Sequence, residues 1–289
     1  MPHHPPGFAA DPVPAVRESE ATGEVAAIFA EIRAVQGLPI VNLVWRHLAT
    51  MPDALAWTWT ALLPLYRSGA VAGAIPGLQA GMALPEVPRW PAAAFRAVGI
   101  DATEEPRIAA VLDSYDRGNT MNLLAFHTLL ARLDGHEATP ATASATGSVM
   151  AIGGQLPPLL DLGGMAPATA ELVLALNRLG QGGGDGPILA SLYRHLAHWP
   201  AYMALAWTLL QPIERRGELA VAIASTRAAA AAQARSLLAG LDGTIARPSP
   251  AAEAFVRAGL GLFVGHGIAR MTTIGRLLLA AGPAADQGC

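Results

Sequence analysis

A stretch of 31 residues occurs twice in this chain, and that duplication limits the fold more than any other feature. Residues 39–69 read PIVNLVWRHLATMPDALAWTWTALLPLYRSG, and residues 187–217 read PILASLYRHLAHWPAYMALAWTLLQPIERRG. Without gaps, 14 of the 31 positions are identical, all at an offset of 148 residues. The tetrad RHLA anchors both copies and is followed in each by a proline, Pro52 and Pro200. The match reaches back to ATGEV at 21–25 against ATAEL at 168–172, with a one-residue slip, and forward to Tyr115 against Phe263. A long-period repeat marks a unit that covers its apolar face with its own copy. The chain therefore divides into an N-terminal arm (1–18), a first helical repeat (19–137), a linker (138–166) and a second helical repeat (167–289). The linker boundary rests on the Ala-, Thr-, Gly- and Pro-rich run at 138–158. Neither copy is expected to be stable alone.

The repeated unit is helical. Ala, Leu and Arg dominate and β-branched runs are sparse, which favours helix. Val25, Ile28, Phe29 and Ile32 recur at helical spacing, so a helix is predicted over 24–35, closed by Gly37. Two helices are predicted over 39–50 and 53–66, split at Met51-Pro52, with Asp53 as an N-cap. The second copy repeats the break at Trp199-Pro200. An Ala-rich helix is predicted over 218–238, ended by Gly240. Another starts at Ser249-Pro250, with proline at the first helical position. Terminal helices are predicted near 115–133 and 263–281. The fold class is all-α.

Composition excludes several chemistries. The chain has 289 residues, 52% hydrophobic and 14% charged, with a net charge of −3, so no overall basic field draws it to nucleic acid or acidic lipid. All 19 basic side chains are arginine. Without lysine there is neither a Schiff base nor a P-loop lysine. The single cysteine, Cys289, forms no disulfide within the chain. The N-terminal MPHHPPGFAADP lacks a signal-peptide layout, and no apolar run approaches the ~18 residues of a membrane span. A soluble, cytoplasmic protein is the expectation.

Four local features bear on chemistry. The glycine run at 182–186 (GGGDG) matches no phosphate-binding pattern and sits where the repeat needs a turn between helices. His195 and His198 share a helix face but lack a third ligand and an HExxH context, so no metal is expected. His47 recurs as His195, which suits a structural role. No GxSxG is present, which argues against a nucleophile elbow. The tryptophans at 45, 57, 59, 199 and 207 fall at core-like helical spacing.

Several stretches, in order, carry a resemblance: GEVAAIFAEIR (23–33), LPIVNLVWRHLATMP (38–52), LAW (55–57), VLDSYDRGN (111–119) and ASLYRHLAHWP (190–200). With the duplication, they make the chain similar to the group I 2-haloacid dehalogenases, the DehI family. The resemblance spans most of the chain and implies an all-α pseudo-dimer of two fused repeats. It also implies hydrolytic loss of halide from the carbon beside a carboxylate, with no cofactor. In that family an Asp and an Asn activate a water that attacks directly, without an ester intermediate.

Carried over by position, the resemblance places the water-binding Asn on Asn119 and the Ser beside the catalytic Asp on Ser191. The Asp itself falls on Leu192, which cannot accept a proton. Pocket aromatics fall on Ile40 and Leu43, and a Thr and a Glu used by some members fall near Tyr66 and Ala70. General-base help is worth about 10²–10⁴-fold, so the substitution bears directly on rate. Asp116, three residues before Asn119, is the leading replacement base; Asp185, Glu218 and His195 are weaker candidates. A solvated position near a helix start is the other reading of Asp116. The expected cavity lies between the halves, near the pseudo-two-fold axis, with Asn42, Leu43, Asn119, Ser191, Leu192 and Tyr193 around it. The partner is a small carboxylic acid, and a homodimer is open as an assembly. Three readings compete: a dehalogenase with an altered base, a different enzyme on the same pocket, and a non-catalytic small-molecule-binding protein.

Overall fold

Segments this rich in Ala, Leu and Arg form helix throughout, and among the described residues there is no strand. The computed structural model describes residues 12–137, 147–182, 184, 186–241 and 246–283. In the first half the helices are α1 (Gly23–Gln36), α2 (Leu43–Leu48), α3 (Ala54–Arg67), α4 (Ala70–Ala80), α5 (Ala92–Ala97) and α6 (Glu105–Leu133). In the second they are α7 (Pro167–Arg178), α8 (Ser191–Leu196), α9 (Pro200–Arg215), α10 (Glu218–Leu237), α11 (Pro250–Leu262) and α12 (Ala269–Ala280). A π-helical segment, Phe263–Ile268, joins α11 to α12. The bounds of α2 and α8 differ by 148 residues at both ends. So do Gly69 and Gly217, left-handed at φ 74° and 73°, where α3 turns into α4 and α9 into α10.

Helices at matching positions meet at the centre. α6 packs along α12, and α4 along α10. The packing is also reciprocal: α6 touches α8, while α11 touches α2 and α3. Each half thus covers apolar surface on the other, as in an isologous interface. In the first half, Trp45 lies edge-on to Trp59 at 5.5 Å and to Phe126 at 5.0 Å. Pro64 and Pro212 sit inside α3 and α9 at the same repeat position.

Several local expectations are corrected. The helix predicted over 39–50 is shorter, because residues 39–42 run irregularly before α2. Asp53 makes no side-chain cap; it holds a left-handed turn, φ 67°, that admits Pro52 ahead of α3. In the second copy Pro200 itself opens α9. The helix predicted near 115–133 begins at Glu105, with Pro106 in its first turn. Ser249 caps α11 as expected, its hydroxyl accepting from the Ala252 amide at 3.2 Å. The connection after 146 follows the first half closely. Gly147 N donates to Gly69 O, Ile152 N donates to Gly37 O, and the Arg117 guanidinium donates to Met150 O. Residues 138–146, Asp185 and Cys289 lie outside the described residues, as do residues 1–11 of the arm.

Candidate functional site

Two cavities lie side by side where the halves meet. The outer cleft, about 860 Å³, runs between residues 13–19 and 156–163 and is lined by Val41, Leu189, Arg46, Arg194, Tyr115 and His195, among others. The inner cavity, about 50 Å³, has room for a few water molecules or a very small ligand. Tyr115 lines both.

The inner cavity is built from the same positions of both halves. Asn42, Leu43, Val44, Tyr115 and Asn119 line it, and so do Ala190, Ser191, Leu192, Phe263 and Gly267, each 148 residues on. The two walls differ in character. At three of these positions the first half presents Asn42, Tyr115 and Asn119, where the second presents Ala190, Phe263 and Gly267. Ser191 opposite Leu43 is the reverse case. The π-helical segment supplies Phe263, Gly267 and Ile268 to the second wall. The matching stretch of the first half is ordinary α-helix. Such π-bulges are frequent at functional sites.

A buried chain of amides fixes how Asn119 faces the cavity. Trp45 Nε1, which can only donate, gives its hydrogen to Asn122 Oδ1 at 3.1 Å. The Gln36 amide at 3.0 Å and the Tyr66 hydroxyl at 2.8 Å donate to the same oxygen. The Asn122 nitrogen then donates to Asn42 Oδ1 at 3.2 Å, and the Asn42 nitrogen approaches Asn119 Oδ1 at 3.5 Å. What remains is Asn119 Nδ2, buried and without a partner. It is a donor: it can hold a water oxygen, a halide or a carboxylate, but it cannot take a proton. Gly118 permits the close approach, since a Cβ there would come within 2.6 Å of Asn42 Oδ1. The Ser191 hydroxyl is likewise buried, beside the Tyr115 phenol.

In the second half Arg270 stands at the position of Asn122, 2% exposed. Its guanidinium donates to the carbonyls of Asn177 at 2.6 Å and Leu179 at 3.2 Å. Asn177 also clamps the strand-like approach to α8, donating to Ile188 O at 3.1 Å and accepting from Ala190 N at 3.0 Å. Asn177→Ala removes both clamps and the side-chain oxygen that accepts from Arg270 at 3.3 Å, so an unfolding free energy lower by about 2 kcal/mol is expected from denaturant titration. A change under about 0.5 kcal/mol would show that the clamp is not structural.

The residues expected from sequence separate into groups. Asn42, Leu43, Asn119, Ser191 and Leu192 come together around the inner cavity, with Leu192 1% exposed. Ile40 lines the outer cleft instead. Tyr193 is buried outside both cavities; burial pushes its phenol up to about 12, against the pull of Arg270. Asp116 is not brought to either cavity. Its carboxylate accepts from Arg276 Nε at 2.6 Å, and burial raises its pKa against that guanidinium. Three residues apart, the two side chains of Asp116 and Asn119 start from neighbouring positions on α6, but Asp116 is held by Arg276 of α12 and does not line the cavity that Asn119 lines. Glu218 is exposed and bound to Arg216. Leu192 leaves the inner cavity without a carboxylate among its described lining residues. Among the described residues no cluster of three His, Cys, Asp or Glu could hold a metal ion, and no helix is long and apolar enough to cross a membrane.

Sequence reasoning gave Tyr115 only as a repeat marker, although it lies one turn before Asn119 and so shares its face. Its hydroxyl meets His195 Nδ1 at 2.7 Å. Burial raises the Tyr115 phenol, against Arg46 and Arg194. Burial first, then His198, Arg194 and Arg46, bring His195 down to about 4. His127 falls to about 4 by burial and by Arg227. Both histidines are 6.5 when unperturbed. Between these values the unfolded chain binds more protons, so stability rises with pH through the window and is lost as pH falls from 6.5 toward 4. The melting temperature is expected to drop across that range, and His127→Gln to make the drop shallower. Identical pH curves for both proteins would count against burial as the cause.

The fold and site define a class: all-α chains whose two halves enclose a small central cavity with one amide-bearing wall. No family model and no curated protein matches the sequence. Solved structures do. A D-2-haloacid dehalogenase mutant in complex with D-2-CPA aligns over 96% of this chain and 99% of its own, with a TM-score of 0.74 and 18% identity. A D-2-haloacid dehalogenase in complex with L-LA aligns over 95% and 99%, with a TM-score of 0.72 and 17% identity. A further D-2-haloacid dehalogenase mutant gives 0.73 and 18%. This chain has the fold of those proteins.

Proposed function

We propose that this chain is a dehalogenase-like hydrolase of the DehI type, taking a small 2-substituted carboxylic acid, 2-haloacids foremost, into the inner cavity. One observation carries the reading: the unpartnered amide of Asn119 and the buried hydroxyl of Ser191 belong to residues that line one cavity between the halves, in a fold shared with D-2-haloacid dehalogenases. Asn119 holds a water or the halide; direct attack by that water on carbon 2 gives the hydroxyacid. With Leu192 where a carboxylate base would stand, attack is slow. The reading needs no cofactor, nucleic acid or membrane, and it places a small-acid enzyme in the cytoplasm, with a homodimer as the assembly to test by light scattering.

A second reading, a non-catalytic binder of small acids, is favoured by the apolar floor formed by Leu192, Val44, Ile188 and Met271. The experiment that separates them is halide release from both enantiomers of 2-chloropropionate, native chain beside Leu192→Asp. Native turnover is expected below the ordinary range of ~1–10³ s⁻¹. Binding without release in either protein would leave the binder.

A further inference from the structure

We propose that His195, reached through the Tyr115 hydroxyl, accepts the proton that a carboxylate at position 192 would otherwise take. The inference rests on the reading that the inner cavity receives a 2-haloacid. Tyr115 is the side chain that lines both cavities. Tyr115 lines the inner cavity with Asn119, and its hydroxyl meets His195 Nδ1 at 2.7 Å. In the relay the phenol hydrogen is given to Nδ1, which requires the ring's own hydrogen on the other nitrogen. Asn119 offers the cavity a donor alone, Leu192 offers nothing, and the Ser191 hydroxyl has no base behind it. Tyr115 has one.

The step balances. A water O–H bond breaks, and its proton passes to Tyr115 Oη as the Tyr115 proton passes to His195 Nδ1. The freed electron pair on the water oxygen forms the bond to carbon 2. The carbon–halogen bond breaks, and the halide leaves with its pair. His195, now a cation, returns its proton to solvent through the outer cleft it lines. Arg46, Arg194 and His198 surround the imidazole and hold it neutral in the resting state, while burial leaves it about as basic as an ordinary carboxylate. Glu18 and Asp161 line the same cleft, but Glu18 is engaged with Arg33 at 2.6 Å and with the Val41 amide, and Asp161 with Arg17 and Arg194.

The test is halide release from both enantiomers of 2-bromopropionate. His195→Ala is expected to lower the native rate at least tenfold, and added imidazole, which the outer cleft can admit, to restore it in proportion to its free-base concentration. Tyr115→Phe should lose as much and gain nothing from imidazole. Leu192→Asp/His195→Ala should keep the rate of Leu192→Asp, because that carboxylate makes the relay unnecessary. An unchanged rate in His195→Ala, or a loss that imidazole does not repair, overturns the proposal. If His195→Ala does not fold, Tyr115→Phe decides alone: kcat must fall with KM held. Release by Leu192→Asp with none by the native chain overturns the relay but keeps the cavity's function. No release by either overturns the cavity's function and the relay with it.

Discussion

Leu192→Asp is expected to raise halide release from 2-chloropropionate by about 10²–10⁴-fold over the native chain, the usual worth of a positioned general base. Displacing halide beside a carboxylate needs a strong nucleophile, since the substrate's own charge repels anions. Position 192 lines the same cavity as Asn119 and sits on the opposite wall. A carboxylate there would accept from the water that Asn119 Nδ2 donates to, and would draw that water into an otherwise apolar corner. The substitution buries a charge at a site now 1% exposed, so the variant is expected to melt lower even as it gains rate. Arg270, which lines the same cavity, partly offsets that cost. A folded Leu192→Asp protein no faster than the native chain would remove the family-like geometry from consideration.

Asn122→Ala is expected to cost about 3–5 kcal/mol of unfolding free energy, among the largest single-site effects in the chain. One oxygen accepts from Trp45, Tyr66 and Gln36. Removing it strands three buried donors, and each pays a desolvation penalty of about 1–3 kcal/mol that is only partly relieved by rearrangement. Asn122→Asp separates stability from chemistry. It keeps the acceptor but has no nitrogen, so Asn42 must turn its amide toward position 122. Asn119 then turns in the opposite sense and presents its oxygen to the cavity. In a Leu192→Asp background this reversal is expected to erase most of the gained halide release while costing less stability than alanine. Chemical denaturation and the halide assay read the two effects independently.

The fold was legible because duplication leaves a sequence record independent of any helix propensity. The breaks at Pro52 and Pro200 could be placed by aligning the copies, and α2 and α8 keep the same 148-residue offset. Local cues were weaker where tertiary packing chose otherwise. Nothing in IVNL over 40–43 announces that the chain bends before α2, since the bend serves to bring Asn42 against Gly118. Likewise Asp53 looks like a cap, but the turn around Pro52 puts its backbone in the left-handed region. Asn119 and the Ser191-Leu192 pair were placed by resemblance. The amide chain behind Asn119 joins residues some 80 positions apart, beyond any periodicity. Asp116 was chosen by helical spacing alone, and spacing does not show that Arg276, 160 residues away, holds its carboxylate.

The unlike walls of the inner cavity bear on how many ways a ligand can sit there. In an assembly of two identical halves, any molecule on the two-fold axis has two equivalent poses, and a substituent on one side of carbon 2 finds the same neighbours after a half-turn. Here Asn42, Tyr115 and Asn119 face Ala190, Phe263 and Gly267, and the π-helical segment reshapes only the second wall. A half-turn therefore exchanges donors for carbon, and the two poses are no longer degenerate. Joining the halves in one chain is what lets each wall change without the other. Which end of a small ligand meets the donors, undetermined while the walls are identical, then becomes a property that single substitutions on either wall can set.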